Sequence, residues 1–278
     1  MRLDALRSRL AALDSAQVKL LDRWKIVGKI PQVRSGPYRS ELNFSNYLSI
    51  GVDAKAALLW ARMAERIPWA FKLRMINKWW YIICGSPEFL LHSYRKLDER
   101  LELICDGEVI PLPKGIEGLM VLNTPSYGGG SDLWDESRGA PLSARTDRYV
   151  NGPPVRSSMG DGILEVVGVT DVVHLAFSLG GLSNGVRLCQ GKRVRVACKE
   201  GGVPLQIDGE PCNIEPSGEV GSEPFDLDLT KTGQALLLAR GRAEGGGVSA
   251  FAAVEGQLSE EAISTGQRDA LLNALGGA

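Results

Sequence analysis

From about residue 100 onward the apolar positions fall in short runs: Leu101-Glu-Leu-Ile-Cys105, Ile116 to Leu122, Ile163 to Val169, Arg193-Val-Arg-Val-Ala197, Val203 to Ile207 and Gln234-Ala-Leu-Leu-Leu-Ala239, parted by glycine, proline and asparagine turns. Short runs rich in Val, Ile and Leu between such turns predict strands. Before residue 100 the spacing is three to four. Leu3, Leu6, Leu10 and Leu13 give a short helix one apolar face with arginines on the other side, and Leu20 to Val27 reads as a strand. Asp53 caps a helix that packs Ala57, Leu58, Trp60, Ala61 and Met63 and ends before Pro68. A second helix covers about Phe71 to Ile82, and Ser86-Pro-Glu88 opens a third that runs to about Arg100. Helices gathered ahead of many short strands predict an α+β, mainly β chain, a β-sandwich-like domain with a helical insertion rather than an alternating parallel sheet.

The connecting stretches fit that division. Pro31 to Ser40 and Asp135 to Val155 are turn-rich loops, Gly241 to Gly247 is a glycine-rich linker, and Ser259 to Leu275 is a weak terminal helix. Thirty-two basic side chains against thirty-three acidic ones leave a formal charge of -1, so no global field draws the chain to nucleic acid or anionic lipid. The longest apolar runs are short, as in Trp79-Trp-Tyr-Ile-Ile-Cys84, and none approaches the ~20 residues that span a bilayer. The amino terminus has the pattern of an amphipathic helix, not of a signal peptide. Five cysteines with no Cys-x-x-Cys pair indicate neither a disulfide framework nor a zinc site and fit a reducing cytoplasm.

Several chemistries have no carrier in this sequence. Gly128-Gly-Gly-Ser131 lacks the Lys-Ser/Thr of a phosphate-binding loop, and Ser178-Leu-Gly-Gly-Leu-Ser-Asn-Gly185 lacks dinucleotide-binding spacing. His92 and His174 are too few and too isolated for a metal cage or a nucleophile triad, and His174 lies in an apolar run that suits a core or interface histidine. Val203-Pro-Leu-Gln-Ile-Asp-Gly-Glu-Pro-Cys212 alternates and then breaks at Asp208-Gly209, the strongest short hairpin signal, since both turn residues tolerate positive φ. Asp-Gly-Glu occurs again at Asp106-Gly-Glu108, so the pattern does not decide whether either carboxylate does chemistry.

Asn46-Tyr-Leu-Ser-Ile-Gly-Val-Asp-Ala54, Asn77-Lys78 with Tyr81, Val121-Leu-Asn-Thr-Pro-Ser-Tyr-Gly-Gly-Gly-Ser-Asp-Leu-Trp134, Asp161-Gly-Ile-Leu-Glu-Val-Val-Gly-Val169, Arg187-Leu-Cys-Gln-Gly191 and Pro204-Leu-Gln-Ile-Asp-Gly-Glu-Pro211 occur in one order. This constellation, covering roughly residues 20 to 240, closely resembles the accessory domain of eukaryotic-type diacylglycerol kinases. Leu21-Asp-Arg-Trp24 resembles the seam at which that family's catalytic domain passes into its accessory domain. The resemblance implies residues 1–20 as the last helix of a catalytic domain, 21–245 as the accessory domain and 246–278 as a tail. It implies a cytoplasmic, peripherally membrane-associated lipid kinase that moves the γ-phosphate of ATP, with Mg2+, onto diacylglycerol to give phosphatidic acid. The family's Gly-Gly-Asp-Gly-Thr nucleotide loop does not occur in this sequence, so the chain resembles half an enzyme whose catalytic domain acts in cis or in trans. The other reading is a catalytically inactive lipid- or partner-binding module derived from such a kinase.

By the same resemblance the acidic turn faces the nucleotide cleft. Asp208 and Glu210 are then the catalytic carboxylates, with Gly209 as the backbone that meets the nucleotide. A bare carboxylate is repelled by a triphosphate, so Glu210 acts through Mg2+, a water or a ribose or lipid hydroxyl. Asp106-Gly-Glu108 reads as a plain turn. Tyr127 with Gly128, Gly129 and Gly130 reads equally as a loop that lets backbone approach a ligand or as a flexible turn. Asp161 orients a turn or holds a structural metal ion, with the turn favoured, and Trp60, Trp79 and Trp80 read as core rather than lipid contacts.

Overall fold

A computed structural model of the chain describes residues 16–30, 40–66, 96–127, 131–134, 155–170, 185–212 and 223–240. The expected helices over 3–13, 71–82 and 259–275, the loop at 135–154, both histidines and the Trp79-Trp80 pair lie outside them, while residues 16–20, which the resemblance places in a catalytic domain's last helix, are extended. The chain divides into two compact units, Asp22–Gly233 and a second formed by Met1–Leu21 with Gln234–Ala278.

The first unit is built of two six-stranded sheets. In chain order the strands are β1 Ala16–Lys29, β2 Glu41–Phe44, β3 Tyr47–Gly51, β4 Leu101–Cys105, β5 Glu108–Ile110, β6 Gly118–Leu122, β7 Leu164–Val169, β8 Val186–Gly191, β9 Arg193–Cys198, β10 Leu205–Ile207, β11 Glu210–Cys212 and β12 Phe225–Arg240. Helix α1 (Val52–Arg66) follows β3 directly, and the single turn α2 (Leu97–Arg100) enters β4. Sheet A runs β2-β1-β12-β9-β4-β5 and sheet B runs β11-β10-β3-β6-β7-β8. The expected mainly β domain with small helical parts is therefore what forms. The outer ends of β1 and β12 belong to the second unit, where Leu237 and Leu238 are exposed.

The alternation decides which faces meet. Trp24 and Ile26, Leu101, Leu103 and Cys105, Val194, Val196 and Cys198, and Phe225, Leu227 and Leu229 point from sheet A into one core with Leu48, Ile50, Leu119, Val121, Leu164, Val166 and Leu205 of sheet B. Burying each such side chain is worth about 1.5–3 kcal/mol, which makes this shared layer the main source of stability. The other face of sheet A carries Arg193 and Arg195 forked onto Asp228 and Asp226, exposed pairs that set register more than they add stability. Sheet B is buried on both faces. Met120, Leu122, Val167 and Val169, on the opposite face of β6 and β7, form a second cluster with Val52, Tyr127, Leu133 and Trp134, and a bulge at Leu188 shifts the register of β8 against β7.

Asp53 departs from its expected role as a cap. It lies inside the first turn of α1, fully buried, and its carboxylate accepts from Ser49 Oγ at 2.6 Å and from the Gln206 amide.

Candidate functional site at the acidic turn

Asp208 (φ 49°) and Gly209 (φ 87°) form the two-residue turn between β10 and β11, closed by the pairing of Ile207 with Glu210. Positive φ at both positions is the mirror-image turn that matches strand twist. Asp106 (φ 48°) and Gly107 (φ 92°) form the same turn between β4 and β5. Both turns use their aspartate structurally. The Asp106 carboxylate accepts from the Lys192 and Arg193 amides at 3.0 and 2.8 Å and ties its hairpin to the β8–β9 turn.

Asp208 grips the point where the chain changes sheet. Ser45 and Asn46 connect β2 of sheet A to β3 of sheet B, which leaves backbone donors with no ladder partner. The Asp208 carboxylate accepts from the amides of Ser45 (2.9 Å), Asn46 (2.8 Å) and Tyr47 (3.1 Å), and its own amide donates to the Tyr47 carbonyl at 2.9 Å. Hydrogen bonds to a charged acceptor contribute about 1.5–3 kcal/mol each at most, and less at an exposed site such as this. Glu210, two residues on, is exposed and makes no side-chain hydrogen bond or ion pair among the described residues. One carboxylate is committed to the fold and its neighbour is left available.

Asn123, at the end of β6, holds the same connection from behind. It is fully buried; its Nδ2 donates to the carbonyls of Ser45 (2.5 Å) and Asp22 (2.9 Å), and its Oδ1 accepts from Trp24 Nε1 at 2.7 Å. Its amide donates to the Asn46 carbonyl at 2.9 Å. Asp22 continues the network: fully buried, it pairs with Lys231 at 2.6 Å and accepts from the Gly162 amide at 2.5 Å. The structure thus links the acidic turn to the Asp161 turn through Asn123 and Asp22.

Asp161 itself accepts from the Ile163 amide at 3.0 Å, the geometry of an aspartate-stabilised turn. Burial, and then the charge of Asp22, raises its carboxyl above the usual range. Among the described residues no three His, Cys, Asp or Glu side chains are placed to hold a metal ion, and the Lys231 ammonium already supplies the positive charge beside Asp22. Tyr127 is buried, exchanges two backbone hydrogen bonds with Ser131 and meets Tyr47 edge-on with ring centroids 4.8 Å apart. Gly128, Gly129 and Gly130 lie outside the described residues. Trp60 is half-buried on α1.

Under α1, Tyr47, Ser49, Asp53 and Gln206 form a polar layer on the far face of sheet B. Burial, followed by the nearby Asp53 charge, pushes the Tyr47 hydroxyl up to about 12. Gln206 takes a polar position in the alternating run 203–207; the helix that follows β3 covers it and Ser49, and both are fully buried.

The segment leading to Asp161 is held by Glu165, which is fully buried on β7 and accepts from Ser157 Oγ at 2.9 Å and Gln190 Nε2 at 3.0 Å. Burial is the largest influence on its carboxyl and raises it from 4.5 to about 7. A raised carboxyl means that the folded state holds the proton longer than the unfolded chain, so stability is full below 4.5, declines as pH rises to about 7, and is flat above. Glu165→Gln removes that loss. The variant is expected to gain on the wild type progressively across this window, by up to about 3 kcal/mol at pH 8, in urea unfolding measured at pH 4.5, 6 and 8. An equal difference at all three pH values would contradict the assignment.

Two six-stranded sheets presenting an acidic hairpin place the chain among mainly β domains rather than alternating α/β ones. Residues 43–211 match the family model described as "Diacylglycerol kinase accessory domain", and the chain belongs to that family. It is 36% identical to diacylglycerol kinase theta of Homo sapiens over 211 residues, 73% of this chain and 21% of that protein. It is 33% identical to probable diacylglycerol kinase 3 of Caenorhabditis elegans over 244 residues, 82% of this chain and 30% of the relative. It is 31% identical to diacylglycerol kinase 1 of Arabidopsis thaliana over 278 residues, 99% of this chain and 35% of the relative. The chain therefore spans about a fifth to a third of the length of the curated relatives it matches. Among the described residues no helix is long and apolar enough to cross a membrane.

Proposed function

We propose that this chain is the accessory half of an ATP-dependent diacylglycerol kinase and that Glu210 is the carboxylate it brings to the reaction. The observation that carries this reading is the contrast within one turn. Asp208 is engaged by three amides, while Glu210, at the edge of the same hairpin and one residue inside the end of the family match, is exposed and uncommitted.

Phosphoryl transfer needs little covalent help from a protein; it needs charge stabilisation, positioning and a group that takes the acceptor's proton. In this reading Glu210 orients the free hydroxyl of diacylglycerol and accepts its proton as the oxygen attacks the γ-phosphorus, while the bond from that phosphorus to the β–γ bridging oxygen breaks and ADP leaves. ATP and Mg2+ are held by a Gly-Gly-Asp-Gly-Thr domain supplied in cis or in trans. The backbone of Gly209 lines the same cleft. Diacylglycerol resides in membranes, so the assembled enzyme works as a cytoplasmic protein at a membrane surface.

The test is ATP-dependent formation of phosphatidic acid in mixed micelles containing diacylglycerol. The chain by itself is expected to give no turnover, and the chain joined to a Gly-Gly-Asp-Gly-Thr domain is expected to give it. Turnover by the isolated chain would overturn the division of labour. Failure of the joined protein, with both parts folded, would favour a non-catalytic lipid- or partner-binding module.

A further inference from the structure

We infer that Asp208 and Asn123 are positioning residues for Glu210, acting on catalysis only through it; this rests on the reading of Glu210 given above. The Asp208 carboxylate has its acceptor capacity directed at the Ser45, Asn46 and Tyr47 amides, so it is aimed into the fold and not toward a substrate. Its φ of 49° ties the direction of this grip rigidly to the next two residues. Gripping the sheet-to-sheet connection therefore sets where Glu210 sits.

The connection needs an anchor of its own to serve as a reference point. Asn123 provides it, with its side-chain amide on the Ser45 carbonyl, its backbone amide on the Asn46 carbonyl and its oxygen on buried Trp24. The sequence of constraint is Trp24 and Asp22 to Asn123, Asn123 to the Ser45–Asn46 connection, the connection to Asp208, and Asp208 to Glu210. Among the described residues β11 is the edge strand of sheet B, with no neighbouring strand on its open side to hold the turn in place. Without the grip the turn is a two-residue hairpin at a sheet edge, free to swing by the ångström that costs an enzyme on the order of a hundredfold in rate.

Asp208→Asn isolates this role. Asparagine keeps the left-handed turn but replaces the charged acceptor with an amide that confronts the three donors with an N–H group. In the purified chain, amide hydrogen exchange at Ser45, Asn46 and Tyr47 is expected to quicken by about tenfold in Asp208→Asn and in Asn123→Ala, and to stay unchanged in Glu210→Gln. Unchanged exchange in Asp208→Asn overturns the grip. In the joined kinase, Asp208→Asn is expected to lower kcat by about thirtyfold to a hundredfold at nearly constant KM, while the acid limb of the pH–rate profile stays where it is. Wild-type kcat in a variant whose amides have been released overturns the positioning role. Loss of the acid limb in Asp208→Asn, with the limb kept in Glu210→Gln, would make Asp208 the proton acceptor itself. Wild-type turnover in Glu210→Gln would sink the reading of Glu210 and is recognised separately from both.

Discussion

Glu210→Gln is expected to lower turnover of the joined kinase by at least about a hundredfold, with the midpoint and slope of urea unfolding of the chain unchanged. The reason lies in what the residue does not do. Its side chain is exposed and has no partner among the described residues, so the fold loses almost nothing when the charge is removed. Its backbone stays paired with Ile207 whichever side chain is present. A group that takes a proton from the attacking hydroxyl contributes about 10²–10⁴ to rate, and glutamine cannot supply it. Initial rates at saturating MgATP, set beside the unfolding curve, check the claim. A parallel loss of stability and rate would mean that Glu210 is structural.

The largest effect on folding is expected at Gly51, which the recognisable Asn46–Ala54 stretch places between β3 and α1. Its φ is +91°, and a Cβ there would stand 2.3 Å from the backbone carbonyl oxygen of Glu117. That oxygen is fixed because it accepts from the Val52 amide at 3.0 Å, so it has no means of yielding. Gly51→Ala therefore combines left-handed strain, about 1–3 kcal/mol, with a backbone collision of similar size. A loss of at least about 3 kcal/mol against a total of about 5–15 is expected to show as a large drop in the urea midpoint or as insoluble protein. Gly107→Ala is the control. Its φ of +92° is nearly the same, but nothing lies within 4 Å of the new methyl, so it carries the strain without the collision. Equal losses in the two variants would show that the close approach at Gly51 contributes nothing.

Much of the fold was legible because burial on one face of a strand writes itself into the chain with period two. β4, β9 and β10 fall close to the limits that their alternation predicts, and α1 ends at Arg66 as expected. The misses have specific causes. β2 is four residues long and includes Asn43, too short to show a period. β8 appears in the sequence only as part of a recognisable motif, because Arg187, Gln190 and the flanking glycines break its apolar run. β12 was visible only in its Leu-rich second half, since Asp226, Asp228 and Lys231 break the apolar run in its first half. Their charges are satisfied across the sheet, by Arg195 and Arg193, and by Asp22, partners far away in the chain.

The candidate site divides in the same way. Asp208-Gly209 was readable as a turn, and the family resemblance was readable from the order of its motifs. Asn123 stood inside one of those motifs with nothing to distinguish it from Thr124 or Ser126, and Gln206 looked like the solvent side of a strand.

What the sequence determined alone are the properties carried by neighbours along the chain: the strand and helix periods, the mirror-image turns, the family and the lack of a phosphate-binding loop in these 278 residues. What only the tertiary structure decided is which of two carboxylates two residues apart the fold engages. That depends on the amides of Ser45, Asn46 and Tyr47, some 160 residues earlier, arriving beside Asp208 and not beside Glu210. Hydrogen bonds act over about 3 Å of space and are blind to separation along the chain, so no local pattern can announce which of two carboxylates will be claimed by the fold.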